Sequence, residues 1–346
     1  MDVNISVSEA IKPPETDRIA GFIAGLQKEN GEIPWSHGGK TDPWDHIESA
    51  MGLSIAGYFQ QAERAYKWLV ATQLPDGSWW SETKDGNIIN STKESNFAAY
   101  IAVGVYHHYL ITGDMDFLKM MWPAVARGIQ FALELQAPEG EVYWARNKEG
   151  QVDKMSLLTG CSSIYMSLKC ALEIAGILGI KRPRWQKSKE RLGVCIGSRP
   201  DLFNMIKSRF SMDWYYPVLC GAVTNEAAHE RIDHFWDKFV VPDWGVRCVS
   251  DRPWVTMAET SELILTLAAI GDDTRAKTIL SWLDDKHYCD GSYWMGVTFP
   301  DSVIWPEEKT GWTAAAVLLA RDAINNMTPA ADLFKHRFWD EAGRLP

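Results

Sequence analysis

The sequence predicts an all-α chain in which twelve helices pair as six hairpins and close into one array. Three observations predict it. Apolar residues recur at three- and four-residue spacing almost from end to end of the 346 residues. The connections between periodic stretches alternate between short and long, and the long ones carry a repeated motif.

The periodicity predicts helices over 15–28, 45–56, 59–73, 95–111, 115–136, 158–178, 184–196, 214–222, 226–240, 258–269, 273–284 and 310–324. Short connections fall at Gly57, Gly113, Gly179, Thr224 and Gly271. A glycine there can end one helix in the left-handed conformation, and Asp114 or Asp272 can cap the next. Long connections cover 29–44, 74–94, 137–157, 197–213, 241–257 and 285–309. In an up-and-down array alternate connections lie at the same end, so the long loops should gather on one face, each feeding the N-terminus of an inner helix.

Within those loops Gln27, Gln73 and Gln136 each stand four residues before a glycine, Gly31, Gly77 and Gly140, and each glycine precedes tryptophan at Trp35, Trp79 with Trp80, and Trp144. A fourth copy, leading through Gly291 to Trp294, has His287 in place of the glutamine. Glycine supplies a positive-φ turn after a helix, so the repeat reads first as scaffold. It predicts a single domain over 1–346 rather than two.

Composition narrows the partners. A net charge of −10 argues against nucleic acid and anionic membrane, because phosphate binding needs a basic footprint. The six cysteines are scattered without a CxxC pair, unlike a disulfide framework or a structural zinc site. Met1–Ser6 lacks the basic and apolar segments of a signal peptide, and no stretch reaches the roughly 18–20 apolar residues of a membrane span, which together predict a cytoplasmic protein. No phosphate loop, dinucleotide fingerprint or zinc-protease motif occurs, and neither cofactor nor metal is expected. Seventeen tryptophans are many. More than half should pack the core, whereas those in loops suit a ligand with flat apolar faces.

The glutamine–glycine–aromatic repeat and the helix count resemble the six-hairpin (α/α)6 toroids, the fold of glucoamylase-type glycosidases, with prenyltransferase and squalene-cyclase repeat proteins as a related form. The resemblance spans nearly the whole chain. The stretch from Glu94 through Tyr106 to the Gly113–Asp114 turn, continuing to Leu118, Trp122 and Phe131, is similar to a helix pair of sugar-processing toroids, and Leu157–Tyr165 looks glucoamylase-like. The resemblance implies a glycoside hydrolase acting by inversion on an oligo- or polysaccharide, an α-glucan or α-mannan, methylated or not.

Hydrolysis of a glycosidic bond needs two carboxyl groups, one to protonate the leaving oxygen and one to act at the anomeric carbon. The inner-helix starts offer Asp42, Asp45 and Glu48, then Glu94, Asp213, Glu259 with Glu262, and Glu307 with Glu308. Any of these could simply cap its helix, and Asp45 with Glu48 has the spacing of a capping box. Glu259 follows a loop bearing Arg252 and Trp254 and opens a strongly apolar helix, where burial should raise its proton affinity. Asp45 and Glu259 are therefore the expected catalytic pair, with Asp42 or Glu308 as substitutes. Substrate contacts are expected from Trp35, His37, Trp44, Glu48, Trp80, Glu94, Asp213, Trp214, Tyr215, Arg252, Trp254, Trp305 and Glu308.

Two alternatives belong to other classes. An isoprenoid-handling enzyme would need a zinc set, for which Asp251, His287, Cys289 and Asp290 are available, or an acidic cyclase motif on the active face. Asp114 and Asp116 approach that motif but sit at a short connection, on the wrong end. The other alternative is a non-catalytic carbohydrate-binding toroid.

Overall fold

A computed structural model of the chain describes residues 14–342. Met1–Ser6 and both ends of the 1–346 span lie outside the described residues. Fourteen helices occur among the described residues: α1 (Pro14–Leu26), α2 (Pro43–Ile55), α3 (Phe59–Thr72), α4 (Ser95–Thr112), α5 (Met115–Glu134), α6 (Leu158–Ile177), α7 (Pro183–Ser198), α8 (Ser211–Leu219), α9 (Asn225–His234), α10 (Trp236–Phe239), α11 (Met257–Ala269), α12 (Asp273–Ser281), α13 (Gly311–Asn325) and α14 (His336–Ala342). Twelve match the expected helices. The expected helix 226–240 breaks at Phe235 into α9 and α10, and α14 was not anticipated. The fourth inner helix starts at Ser211 instead of 214, which places Asp213 inside its first turn.

Helices α2, α4, α6, α8, α11 and α13 each touch the next in that order, and α13 touches α2. The remaining long helices lie outside this cycle, α3 against α2, α5 against α4 and α7 against α6. Burial follows the same division. Every residue of α2 and of α11 is buried, whereas α3 buries Ala62, Ala65, Tyr66 and Leu69 along one stripe. Close approach of α2 and α4 depends on Gly104, where a Cβ would come within 2.6 Å of Ile47. Ile47 is fully enclosed, so truncating it to alanine should cost about 2–5 kcal/mol.

The repeat joins each loop to the next outer helix. Gln27 donates to Gly31 O at 3.1 Å and to Gln61 O of α3 at 2.9 Å. Gln73 joins Gly77 to Ala124 of α5, and Gln136 joins Gly140 to Ser188 of α7, with the same pair of bonds. Gly31, Gly77 and Gly291 have φ between 90° and 96°, and a Cβ on any of them would meet a helix carbonyl at 2.3 Å. For Gly291 that carbonyl belongs to Arg18 of α1, so the last long loop packs on the first helix.

Among the described residues nine short strands lie between the helices, none of them visible as periodicity. β1 (Glu82–Lys84) and β2 (Asn87–Asn90) form an antiparallel hairpin. β3 (Lys93–Glu94), β4 (Ala145–Arg146) and β5 (Val152–Asp153) form a second antiparallel group, and β6 (Val240–Val241), β7 (Gly245–Arg247), β8 (Trp254–Thr256) and β9 (Gly296–Thr298) a third. β3 and β8 run directly into α4 and α11, so two inner-helix starts that lack a side-chain cap bond are held by sheet pairing instead. Among the described residues no helix is long and apolar enough to cross a membrane.

Candidate active site

Helix α2 starts with Asp42 in an extended conformation as N-cap and Pro43 in its first turn, a pairing that suits the unpaired N–H groups there. Asp42 Oδ1 accepts from the Asp45 N–H at 2.9 Å. The capping interaction expected between Asp45 and Glu48 is therefore made by Asp42 and Asp45 instead. This frees Glu48, one turn further in, to accept from the Tyr100 hydroxyl at 3.0 Å. His46 is fixed on both ring nitrogens, by the Ile33 N–H at 3.0 Å and Ala65 O at 2.9 Å, and pins α2 to its loop and to α3.

Both of these inner carboxylates are out of water. Asp45 is buried and its Oδ2 has no hydrogen-bond partner, as has Oε2 of Glu48. Burial, then the charge of Asp42, raises the Asp45 carboxyl well above the usual carboxylate range. Burial likewise pushes Glu48 up to about 8, with the charges of Asp42 and Glu259 adding to the effect. Asp42 is raised by burial, but its bonds to Asp45 and the nearby Lys40 oppose the shift. Burial favours the protonated form of a carboxyl, since ionising it in this environment costs more than in water.

Helix α11 repeats the arrangement. Glu259 in its first turn accepts from the Thr256 hydroxyl at 2.5 Å. Glu262, three residues on, accepts from the Tyr216 hydroxyl at 2.6 Å and also from Tyr215. Burial, then the charges of Glu48 and Glu259, holds Glu262 well above the usual range. Two helices thus each present a carboxylate in the first turn and a second one turn deeper, and the deeper pair lines a common small cavity with Tyr100 and Tyr216.

Other expected residues fall into separate groups. Glu94 stands at the N-cap position of α4 without capping it, accepting instead from the loop groups Ser81 at 3.0 Å and Trp144 Nε1 at 2.9 Å; burial raises it, and the Asp42 charge reaches it. Trp44 stacks flat on Tyr100 with centroids 4.1 Å apart. Trp35 donates to Glu308 at 3.2 Å, and Ser36 donates to the same carboxylate at 3.3 Å. His37 is exposed and lines an open cavity of about 700 Å³ with Glu308 and Arg18. Trp254 donates to Trp305 O at 2.7 Å, leaving the Trp305 ring 57% exposed, and Arg252 is exposed in the same loop.

Three expectations change on inspection. Trp214 is enclosed, stacked on Phe239 with centroids 5.2 Å apart and bonded to Arg231 O, so it packs α8 instead of facing a ligand. Tyr215 is fully buried and spends its hydroxyl on Glu262. Asp213 accepts from the Thr159 N–H and hydroxyl, and its neighbouring charges are Arg231 and Lys207. Glu262, Tyr100, Tyr216 and Thr256 join the candidate site; of these the sequence offers only Glu262, as a helix-start carboxylate not chosen for the pair. The three-residue spacing from Glu259 was a readable signal for Glu262; the tyrosines come from other helices and had none.

No family model matches the chain. It is 47% identical over 335 residues, 97% of this chain and 93% of the relative, to the MMP endo-(1,4)-3-O-methyl-alpha-D-mannosidase of Mycolicibacterium hassiacum. Among solved structures it superposes on a glycosidase variant in complex with glucose with a TM-score of 0.70 at 14% identity, covering 90% of this chain and 96% of that one. It superposes equally well, at 0.70 and 11% identity with the same coverage, on a D-mannose isomerase. At such identities the two structures speak for the fold alone.

Proposed function

The chain belongs to the family of the MMP endo-(1,4)-3-O-methyl-alpha-D-mannosidase and is a glycoside hydrolase, and from that premise we propose that it cleaves internal α-(1,4) bonds of a 3-O-methylated mannose chain by inversion. We take its scaffold to be a single-domain (α/α)6 toroid over 1–346, an assignment supported by the closed cycle of six inner helices. The observation that carries the mechanism is the pair of first-turn carboxylates, Asp45 on α2 and Glu259 on α11, with Glu48 between them in charge: Glu48 adds to the shift of Asp45, and Glu259 adds to the shift of Glu48.

Asp45 is the general acid. Burial and then the Asp42 charge raise its proton affinity, and Asp42 also holds its backbone N–H. Asp45 donates its proton to the glycosidic oxygen as the bond to the anomeric carbon breaks. Glu259, oriented by Thr256, is the base. It takes a proton from a water attacking the anomeric carbon from the opposite side, so one product carries a new, inverted reducing end and the other a restored hydroxyl. Glu48 and Glu262 lie one turn below, Glu48 held by the Tyr100 hydroxyl and Glu262 by those of Tyr215 and Tyr216. Trp35, Trp254, Trp305 and Glu308 line the surrounding loops, where rings meet sugar CH faces and O-methyl groups.

Digestion of a 3-O-methylated mannan by wild type and by Glu259→Gln, with products sized over time, tests the reading. The expected result is mid-length fragments from wild type and cleavage slowed by about 10²–10⁴-fold in the variant. Release of single sugars from chain ends, or full activity in the variant, would overturn it.

A further inference from the structure

Outside the carboxylate cluster, a cavity of about 390 Å³ lies between α3 and the β1–β2 hairpin. Its lining includes the apolar Trp68, Trp79, Trp80 and Ile88 and the polar Thr41 and Glu32. The volume falls within the roughly 300–1,000 Å³ of small-ligand sites, and the mixture of flat apolar rings with a few fixed polar groups is the chemistry such sites use.

The walls are held in place before any ligand arrives. Trp79 Nε1 donates to Leu69 O at 3.0 Å, and the Trp68 ring packs 4.6 Å from that of His46. Thr41 and Thr83 exchange both backbone hydrogen bonds, at 2.7 and 2.9 Å, which locks the hairpin to the loop entering α2. Glu32 is buried and accepts from the Thr41 hydroxyl at 2.6 Å and from Lys28 at 3.2 Å. Preorganised walls reduce the ordering cost of binding. The hairpin, by contrast, carries Ile88 and Ile89 more than half exposed, and two adjacent strand residues point to opposite faces. Ile88 lines the cavity and leaves about half of its apolar side chain exposed.

The cavity also adjoins the reaction site. Pro43, in its wall, directly follows the Asp42 cap of the helix that bears Asp45. An enzyme that cuts within a chain must hold sugar residues on both sides of the broken bond, and a chain passing over Thr41 and Pro43 reaches this cavity next.

We propose that this cavity is a second, non-catalytic binding site for the methylated glycan, taking sugar units of the same chain beyond the cleft; the assignment rests on the substrate reading above. The O-methyl groups and CH faces lie against Trp68, Trp80 and Ile88, and the free hydroxyls turn to the Thr41 and Glu32 side. An unmethylated chain fits less well, because it would bring hydroxyls against the rings.

The test uses the full chain with Ile88→Asp, a change at an exposed position, and separately with Trp68→Ala. Each is placed in the wild-type and in the Glu259→Gln background and measured with short and long 3-O-methylated mannan oligosaccharides. The expected result is a roughly tenfold weaker Kd and higher KM for long chains alone, with kcat and the short-chain constants retained. Affinity for long chains indifferent to both substitutions, with hydrolysis intact, would overturn the second site and leave the functional reading standing. Absence of both binding and cleavage of methylated mannan of any length would remove the functional reading and this site with it.

Discussion

The two ends of the inner helices bury opposite charges and treat them alike. At the loop-bearing end Asp45, Glu48 and Glu262 sit near helix N-termini, where the helix dipole favours an anion, yet burial raises all three. At the other end Lys169 donates to Cys220 O, the C-cap carbonyl of α8, where the dipole favours a cation. Its ammonium lies 4.1 Å from the Trp339 ring centroid, yet burial lowers it to about 7. Desolvation exceeds the dipole at both ends. The difference is that the acids occupy the face where the long loops gather, whereas the lysine is closed over by α14.

The largest expected contrast is in turnover. Asp45→Asn and Glu259→Gln should each lower kcat by about 10²–10⁴-fold, the range for loss of a general acid or base, while Lys169→Met leaves it unchanged. Initial rates on a methylated mannan, with folding checked by circular dichroism, make the comparison. Activity lost equally in Lys169→Met would break the division between the two ends.

A second contrast is the slope of stability against pH. Glu48 keeps its proton up to about 8 when folded but loses it near its ordinary 4.5 when unfolded, so between those values the folded state binds more protons and stability falls as pH rises. Lys169 behaves oppositely: folded it loses its proton near 7, unfolded near 10.5, so its contribution rises with pH across that window. Denaturant unfolding from pH 4 to 10 should show the fall reduced in Glu48→Gln and the rise reduced in Lys169→Met. Identical profiles in all three proteins would contradict this.

The smallest effect separates the two layers of carboxylates. Glu262→Gln keeps an acceptor for the tyrosine hydroxyls and should change stability little, whereas Glu262→Ala leaves those of Tyr215 and Tyr216 unpaired at about 1–3 kcal/mol each. Thermal unfolding of the two variants side by side measures it.

Much of this was legible in the chain itself. Helix spacing and the glutamine–glycine repeat located twelve helices, because each repeat is a local device whose partners, such as Gln27 with Gly31, are four residues apart. The carboxylates at helix starts were legible for the same reason. Trp214 was misjudged because nearness to a loop says nothing of which side of α8 a ring takes, and here that side meets Phe239. Tyr100 on Glu48 and Tyr216 on Glu262 pair residues 52 and 46 positions apart, a relation no local pattern carries. The loop strands were equally hidden, since two- and three-residue pairings such as Lys93–Glu94 with Ala145–Arg146 have too few residues to show alternation.

The account turns on Asp45 and Glu259 working from opposite sides of the anomeric carbon, and the configuration of the first product tests this most directly. Proton NMR of a 3-O-methylated α-mannan digest, recorded before mutarotation, should show the new reducing end as the β-anomer. An α-anomer accumulating first would contradict a direct water attack and require one of these carboxylates to bond to the sugar.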